Sequence, residues 1–239
     1  MERHGHALGG PVPGDRALSP DAAPPPLLLL PGLGGDARMF LHQLRAFPGS
    51  RVPTWVTPRP GETLPEFAHR QARKLSREIT GEVNIAGASF GGMVLMEMLP
   101  HLPIRHAFLI GSVRAPSEVP SRYQLLKPLA RTRLSFGTIK LLSRVTGAAL
   151  GPAAGPLLAG MLDMAADLDT RFLRWAGDAI LRWSGQPAPA RPVHQVHGDR
   201  DEILPLRLTR PDLVIPGGGH LISMSHPHEV NAFLKQWVA

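Results

Sequence analysis

Short, largely apolar runs bounded by glycine or proline alternate with helical patterns along this chain. Runs at Leu27–Leu30, Val83–Ala88 and Ile104–Ile110 are typical of buried strands, whereas residues 63–79 repeat apolar side chains at helical spacing. Further strands are predicted at Val52–Val56, Val193–His197 and Leu213–Ile215. Because parallel strands need a helical crossover, the alternation predicts an α/β fold: a mostly parallel sheet of about six strands with helices on both faces.

Composition divides the chain into an arm, a core and an insertion. Residues 1–24 carry proline, glycine and charge without periodicity, which predicts a flexible N-terminal arm. Residues 25–113 and 190–239 contain the predicted strands and form the core. Residues 114–189 show only helical patterns. Since this block lies between two core strands, we predict a helical cap inserted in the core.

Composition also excludes several classes of protein. The 239 residues include no cysteine, which excludes disulfides, a cysteine nucleophile, iron–sulfur clusters and cysteine-ligated zinc. The net charge of +7 raises nucleic-acid binding as a possibility, but the chain has only one tyrosine for base stacking and no long basic run. We therefore expect no nucleic-acid partner.

Neither a membrane span nor an export signal is expected. Residues 1–20 lack the apolar core of a secretory signal. Val145–Leu162 carries no charge, but it contains glycines, two prolines and much alanine, so a cap helix is favoured over a transmembrane span. The missing signal and the absence of cysteine predict a cytoplasmic protein.

A glycine-x-serine-x-glycine pattern lies directly between a predicted strand and a predicted helix. It reads Gly87-Ala88-Ser89-Phe90-Gly91. A sharp, strained turn of this kind lifts a serine hydroxyl clear of the sheet. Side chains two residues before or after the serine would collide with the neighbouring strand or helix, so both positions are glycine. The pattern alone is weak evidence, and it gains specificity from its context and from residues further along the chain.

A reactive serine needs a base, and the base needs a carboxylate to orient it. Two later loops supply both residue types. His197-Gly198-Asp199-Arg200-Asp201 follows one predicted strand, and Gly217-Gly218-Gly219-His220 follows the next. Active sites form where the carboxyl ends of parallel strands meet. At this level, both Asp199 and Asp201 are candidates for the acid.

Three motifs together resemble the α/β-hydrolase superfamily over residues 25–239. They are Leu30-Pro31-Gly32-Leu33-Gly34-Gly35, the serine turn, and the pair HGDRD and GGGH. Within that superfamily the sequence is similar to small bacterial carboxylesterase-type members, such as proteins like the pimeloyl-carrier-protein methyl ester esterase. The motifs are specific for the fold and the catalytic residues, but not for a substrate. Many relatives have histidine where this chain has Pro31.

The resemblance implies a role for each motif residue. Ser89 matches the nucleophile, His220 the general base, and Asp201 the acid of the H-G-x-x-D position. Backbone N–H groups of Leu33 and Phe90 match the oxyanion hole. The resemblance thus implies hydrolysis of a carboxylic ester or thioester through an acyl-serine intermediate, with neither metal nor organic cofactor.

Two alternatives remain for the function. Relatives from the menaquinone pathway use the same triad for lyase-type or C–C bond reactions. A hydrolase-fold binding protein with little turnover is the alternative from another class. In some relatives the acid instead follows the strand after the serine turn, but this chain has no acid there before Glu118.

Histidines outside the motifs are interpreted as structural. His194 and His197 lie on or beside a predicted strand, where we expect them to be packed. His226 and His228 open the last predicted helix, but no third metal ligand lies at helical spacing.

Basic residues are concentrated in the first half of the predicted cap, where Glu118 is the only acid. They are Arg114, Arg122, Lys127, Arg131, Arg133, Lys140 and Arg144. A solvated face is the favoured interpretation. The alternative is that these charges steer an anionic or carrier-bound small-molecule ester or thioester toward the site. The sequence predicts no oligomeric state.

Overall fold

The computed structural model describes residues 25–126, 155–167, 169–187 and 191–238. In these ranges, five parallel strands form one sheet in the order β1-β2-β3-β4-β5. The strands are β1 Leu27–Leu30, β2 Val83–Ala88, β3 Ile104–Ile110, β4 Val193–Gly198 and β5 Leu213–Ile215. The predicted parallel α/β sheet is confirmed. The N-terminal arm and the basic residues from Lys127 to Arg144 lie outside the described residues.

Helices connect the first four strands, whereas β4 and β5 are joined by a loop with a single 3₁₀ turn at Leu206–Leu208. The helices are α1 Leu41–Ala46, α2 Leu64–Leu75, α3 Phe90–Met98, α4 Pro156–Ala166, α5 Thr170–Leu181, α6 Ile222–Ser225 and α7 Pro227–Val238. Local chemistry fixes where α2 begins, since Thr63 and Glu66 form a reciprocal capping box. A 3₁₀ turn at Ala37–Phe40 begins at Asp36, whose side chain accepts from the Arg38 N–H. No helix in the described ranges is both long and apolar enough to cross a membrane.

The predicted strand Val52–Val56 is wrong, and this is why the described sheet has five strands rather than about six. A single bridge joins Leu28 to Arg51. Beyond it, the backbone bonds to a helix side chain: Gln71 accepts from the Val56 N–H at 2.9 Å and donates to the Thr54 carbonyl at 3.2 Å. Pro53 has no N–H to donate to a sheet ladder.

Both faces of the sheet are covered, as predicted. Alternate residues of β1 point to opposite faces, so Leu28 and Leu30 pack with the α2, α3 and α5 side chains, whereas Leu27 and Leu29 pack with those of α1 and α7. Every residue of β2 is buried. The carboxyl end of this inner strand is therefore packed from both faces of the sheet.

Helix α5 lies in the chain between β3 and β4 and packs against α2 and α3. Its indole Trp175 Nε1 donates to the Glu62 carbonyl at 2.8 Å. Just after the helix, Trp183 Nε1 donates at 2.5 Å to Glu97, a carboxylate that is fully buried in α3. The Trp175 and Trp183 side chains belong to the apolar core or pack against it.

Arg114 does not belong to a solvated basic face. Its guanidinium donates to the carbonyls of Arg210 at 2.7 Å and Val193 at 3.0 Å, and it pairs with Asp212 at 3.1 Å. Arg122 likewise donates to the Glu202 carbonyl. Both guanidinium groups thus bond to backbone carbonyls, and the sequence could not show this because their partners lie about eighty or more residues away in the chain.

Candidate active site

The serine turn joins β2 to α3 in a strained conformation. Ser89 has φ 49° and ψ −119°, and within the described ranges it is the only residue other than glycine with a positive φ. A Cβ on Gly87 would lie 2.5 Å from the Gly91 carbonyl oxygen, and a Cβ on Gly91 would lie 2.2 Å from the Leu30 carbonyl oxygen. The steric reason for glycine at both positions is confirmed.

Ser89, His220 and Asp201 come together in one hydrogen-bonded chain. His220 Nε2 lies 2.9 Å from Ser89 Oγ, and His220 Nδ1 lies 2.8 Å from Asp201 Oδ2. An ionised carboxylate only accepts, so Nδ1 carries the hydrogen and Nε2 is left free to accept the serine O–H. The geometry thus pairs a hydroxyl with a base, and the base with an orienting carboxylate.

The environment keeps Asp201 ionised. Burial raises the pKa of this carboxyl, but hydrogen bonds from His197, His220 and the Leu204 N–H outweigh burial and hold its pKa well below the usual range. The second oxygen, Oδ1, accepts the N–H groups of Ile203 at 2.9 Å and Leu204 at 2.8 Å. The carboxylate is therefore negative and fixed in direction.

The other candidate acids lie in different places. Asp199 is exposed and accepts the Gly217 N–H at 2.7 Å, which ties its loop to the loop that precedes His220. Glu118 accepts the Arg114 N–H at 2.7 Å. Of the two aspartates, Asp201, which the resemblance implies as the acid, is the one that lies beside the imidazole.

A cavity of about 240 Å³ opens over the serine. Its wall consists of the glycine loop after β1, parts of α4 and the catalytic-loop residues: Gly32, Leu33, Gly34, Gly35, Met39, Ser89, Met161, Met164, Ala165, His220 and Leu221. A Cβ on Gly32 would lie 3.2 Å from Ser89 Cβ, so this loop passes directly beside the serine. Leu33 thus shares a cavity with Ser89, and Phe90, as the first residue of α3, has no intrahelical acceptor for its N–H.

His197 has a role that the sequence analysis missed. It is fully buried, as expected for a packed side chain, but its Nε2 lies 2.6 Å from the Leu204 carbonyl and 3.3 Å from Asp201 Oδ2. A carbonyl only accepts, so Nε2 carries the hydrogen. Its place four residues before Asp201 in HGDRD is the signal that could have indicated this contact.

Replacing His197 by leucine should lower kcat about tenfold with little change in KM. The variant loses a buried hydrogen bond to an ionised group and leaves the Leu204 carbonyl unpaired, so the Asp201 loop loosens and the pKa of Asp201 rises. Steady-state kinetics across a pH series would measure both effects. His197→Gln, which restores an N–H donor, should recover most of kcat. Equal losses in both variants would contradict a positioning role.

The remaining histidines are placed away from this chain of hydrogen bonds. His194 is 9% exposed and stacks on Trp237, with ring centroids 3.9 Å apart, so it is packed as expected. His226 Nδ1 lies 2.9 Å from Ser225 Oγ. Across the described ranges, no group of three histidine or acidic side chains is arranged to hold a metal ion.

Comparison with known protein families gives one match that covers most of the chain. Residues 27–233 match the family described as the alpha/beta hydrolase family. No curated protein sequence matches the chain at a significant level.

Solved structures share this fold at low sequence identity. A thermophilic esterase from Thermogutta terrifontis, with malate bound, is 18% identical with a TM-score of 0.66, covering 89% of each chain. A structure from a study of carboxylesterases of Nitrososphaera gargenis is 18% identical with a TM-score of 0.70, covering 90% of each. The N-acyl homoserine lactonase AidH is 19% identical with a TM-score of 0.68, covering 91% of this chain and 90% of that one. Since the family match spans the whole sheet and every motif, the chain belongs to the alpha/beta hydrolase family.

Proposed function

We propose that this protein is a serine hydrolase that cleaves a carboxylic ester or thioester through an acyl-serine intermediate. The observation that carries the proposal is the hydrogen-bonded chain from Asp201 through His220 to Ser89, at 2.8 and 2.9 Å, beneath an open cavity. Neighbouring folds described as esterases, carboxylesterases and a lactonase support cleavage of an acyl–oxygen bond.

Acylation begins when His220 Nε2 takes the Ser89 proton and Oγ attacks the substrate carbonyl carbon. The carbonyl electrons move to the oxygen, and the N–H groups of Leu33 and Phe90 bind the resulting oxyanion. Donors of this kind are worth about 3–4 kcal/mol each in the transition state. Asp201 remains ionised and stabilises the imidazolium.

Collapse of the intermediate breaks the bond to the leaving group. His220 gives its proton to the departing alcohol or thiol, which leaves an acyl-serine. Water then loses a proton to His220 and attacks the same carbon, and the carboxylic acid leaves as Ser89 recovers its proton. Each proton removed is returned, so the enzyme ends the cycle unchanged.

Helix α4 contributes to substrate selection in this proposal. Met161 and Met164 from α4 line the serine cavity together with Met39 and Leu221, which gives an apolar wall suited to the chain of an acyl group. We propose that residues 114–189 act as the helical cap that the sequence predicts, and that the substrate is a small-molecule ester.

A panel of p-nitrophenyl esters with graded acyl length, run beside acyl thioesters, tests the proposal. Wild-type protein should release p-nitrophenolate with an initial burst, because acylation precedes slower deacylation. A fluorophosphonate probe should label wild type but not Ser89→Ala. Failure to label wild type would overturn the proposal. Labelling without turnover of any ester or thioester would favour a binding protein or a C–C bond reaction.

A further inference from the structure

Three adjoining cavities lead away from Ser89 along α5. The serine cavity shares Gly32, Gly34, Gly35 and Met164 with a second cavity of about 270 Å³, here called the middle cavity. The middle cavity in turn shares Thr57, Pro58, Asp169 and Phe172 with a third cavity of about 640 Å³. The third is here called the arginine cavity. Because the three cavities adjoin, a substrate longer than the serine cavity can extend toward the arginine cavity.

Positive charge is concentrated in the arginine cavity. Its charged lining residues are Arg59, Arg171, Arg174, Arg182, Asp169 and Asp178. Arg182 pairs with Asp178 at 2.6 Å. For Arg171 and Arg174, no carboxylate of the described residues lies within 4 Å of the guanidinium. These two are arginines that a ligand can bind without displacing an ion pair.

The remaining acids near these arginines are already engaged. Asp169 caps α5, accepting the N–H groups of Arg171 at 2.8 Å and Phe172 at 3.2 Å. Glu62, beside Arg59, is bound by Arg70 at 2.5 and 2.8 Å. The arginine cavity thus retains a net positive charge next to half-buried aromatic side chains.

The charged side chains that line the middle cavity are carboxylates rather than guanidinium groups. Asp36 and Asp167 line it and share one cation, Arg38, at 2.5 and 2.9 Å. The rest of its wall includes apolar side chains, among them Trp55, Met164, Phe172 and Leu173. An anion placed beside these two carboxylates would be repelled, whereas an uncharged chain can lie along the apolar side.

We propose that the arginine cavity is a carboxylate-binding subsite, and that the preferred substrate carries a carboxylate separated from the scissile carbonyl by an uncharged chain. Arg171 and Arg174 bind that carboxylate, since guanidinium groups match carboxylate oxygens in geometry and charge. This deepens the proposed function and rests on it. It also assigns recognition to arginines of α5 rather than to Arg114 and Arg122, whose charges serve the fold.

Paired substrates test the subsite from both sides of the scissile bond. The first series consists of p-nitrophenyl monoesters of dicarboxylic acids of increasing length. Each is compared with the same compound in which a carboxamide replaces the free carboxylate. The second series consists of acetate esters of ω-hydroxy carboxylic acids, again compared with the corresponding amides. Their hydrolysis is measured by the release of protons. The two series place the carboxylate on opposite sides of the scissile bond, and the subsite should favour one of them. In that series, kcat/KM for the carboxylate should exceed that for the amide about tenfold at the best chain length. The ratio should fall as salt rises.

Variants then assign the preference to the two arginines. The double variant Arg171→Gln, Arg174→Gln should bring the carboxylate-to-amide ratio close to unity, mainly through a higher KM for the carboxylate. The double variant Arg73→Gln, Arg77→Gln is the matched control, because it removes the same two charges from exposed positions in α2 and just after it and should keep the wild-type ratio.

Two results would overturn the subsite. One is a ratio near unity at every chain length in both series, and the other is a double variant that lowers carboxylate and amide rates equally. Fluorophosphonate labelling of Ser89 and turnover of the amides separate the two proposals. If both persist without carboxylate preference, only the subsite fails; if neither occurs, the proposed function fails and the subsite fails with it.

Discussion

Ser89→Ala is expected to lower kcat for the best p-nitrophenyl ester by about 10⁴- to 10⁶-fold. Alanine removes the only atom that can form the acyl intermediate, whereas the oxyanion donors and the cavity walls remain. The residual rate should therefore exceed that of the ester in buffer, and substrate binding should change little. Single-turnover assays with excess enzyme, together with equilibrium binding of a non-hydrolysable ether analogue, measure the two effects separately.

Ser76→Ala is the control for this prediction. Ser76 is an exposed serine after α2, and its hydroxyl donates only to the Arg73 carbonyl, so activity should be unchanged. Retention of more than about a tenth of kcat by Ser89→Ala would contradict an acyl-serine mechanism, provided that thermal unfolding shows the variant to be folded.

Asp201→Asn is expected to lower kcat by about 10³- to 10⁴-fold. Asparagine is nearly the same size, but it is neutral and cannot stabilise the imidazolium that forms when His220 takes the serine proton. Its amide can also donate to Nδ1, which would leave the hydrogen on Nε2 and direct it at Ser89 instead of leaving a base there. Rates at several pH values should show the largest deficit near neutrality.

Asp199→Asn is the matched control, because it makes the same change two residues earlier. Asp199 bonds to the Gly217 N–H and does not contact His220, and an asparagine oxygen can keep that bond. Activity should stay within a few-fold of wild type. If Asp199→Asn lost activity while Asp201→Asn kept it, the assignment of the acid would be reversed.

Features set by near neighbours in the chain could be predicted from the sequence. Strands β1, β3 and β5 begin and end where their apolar runs do, because proline or glycine at or close to their ends breaks the pattern. The need for glycine at positions 87 and 91 is equally local, since it follows from one sharp turn. The positions of the two motifs directly after predicted strands then indicated Ser89 and His220 as a candidate nucleophile and base.

Features that depend on distant partners could not be predicted in this way. Val52–Val56 has the composition of a strand, but the Gln71 side chain takes its backbone N–H instead of a neighbouring strand. Arg114 looked like one surface charge among several, and its partners come from β4 and the loop after it. His197 was expected to be packed, and its contact with Asp201 depends on how the loop after β4 folds back.

The sequence by itself determined the parallel sheet, the serine turn and the set of residues able to form a nucleophile, a base and an acid. These follow from periodicity and from steric limits within a few residues. Only the tertiary structure decided that Arg114 bonds to β4 and to the loop after it, and that Arg171 and Arg174 line a cavity that adjoins the serine cavity through a middle one. Both outcomes depend on where loops and helices pack in space, because spacing along a chain does not fix the direction of a side chain.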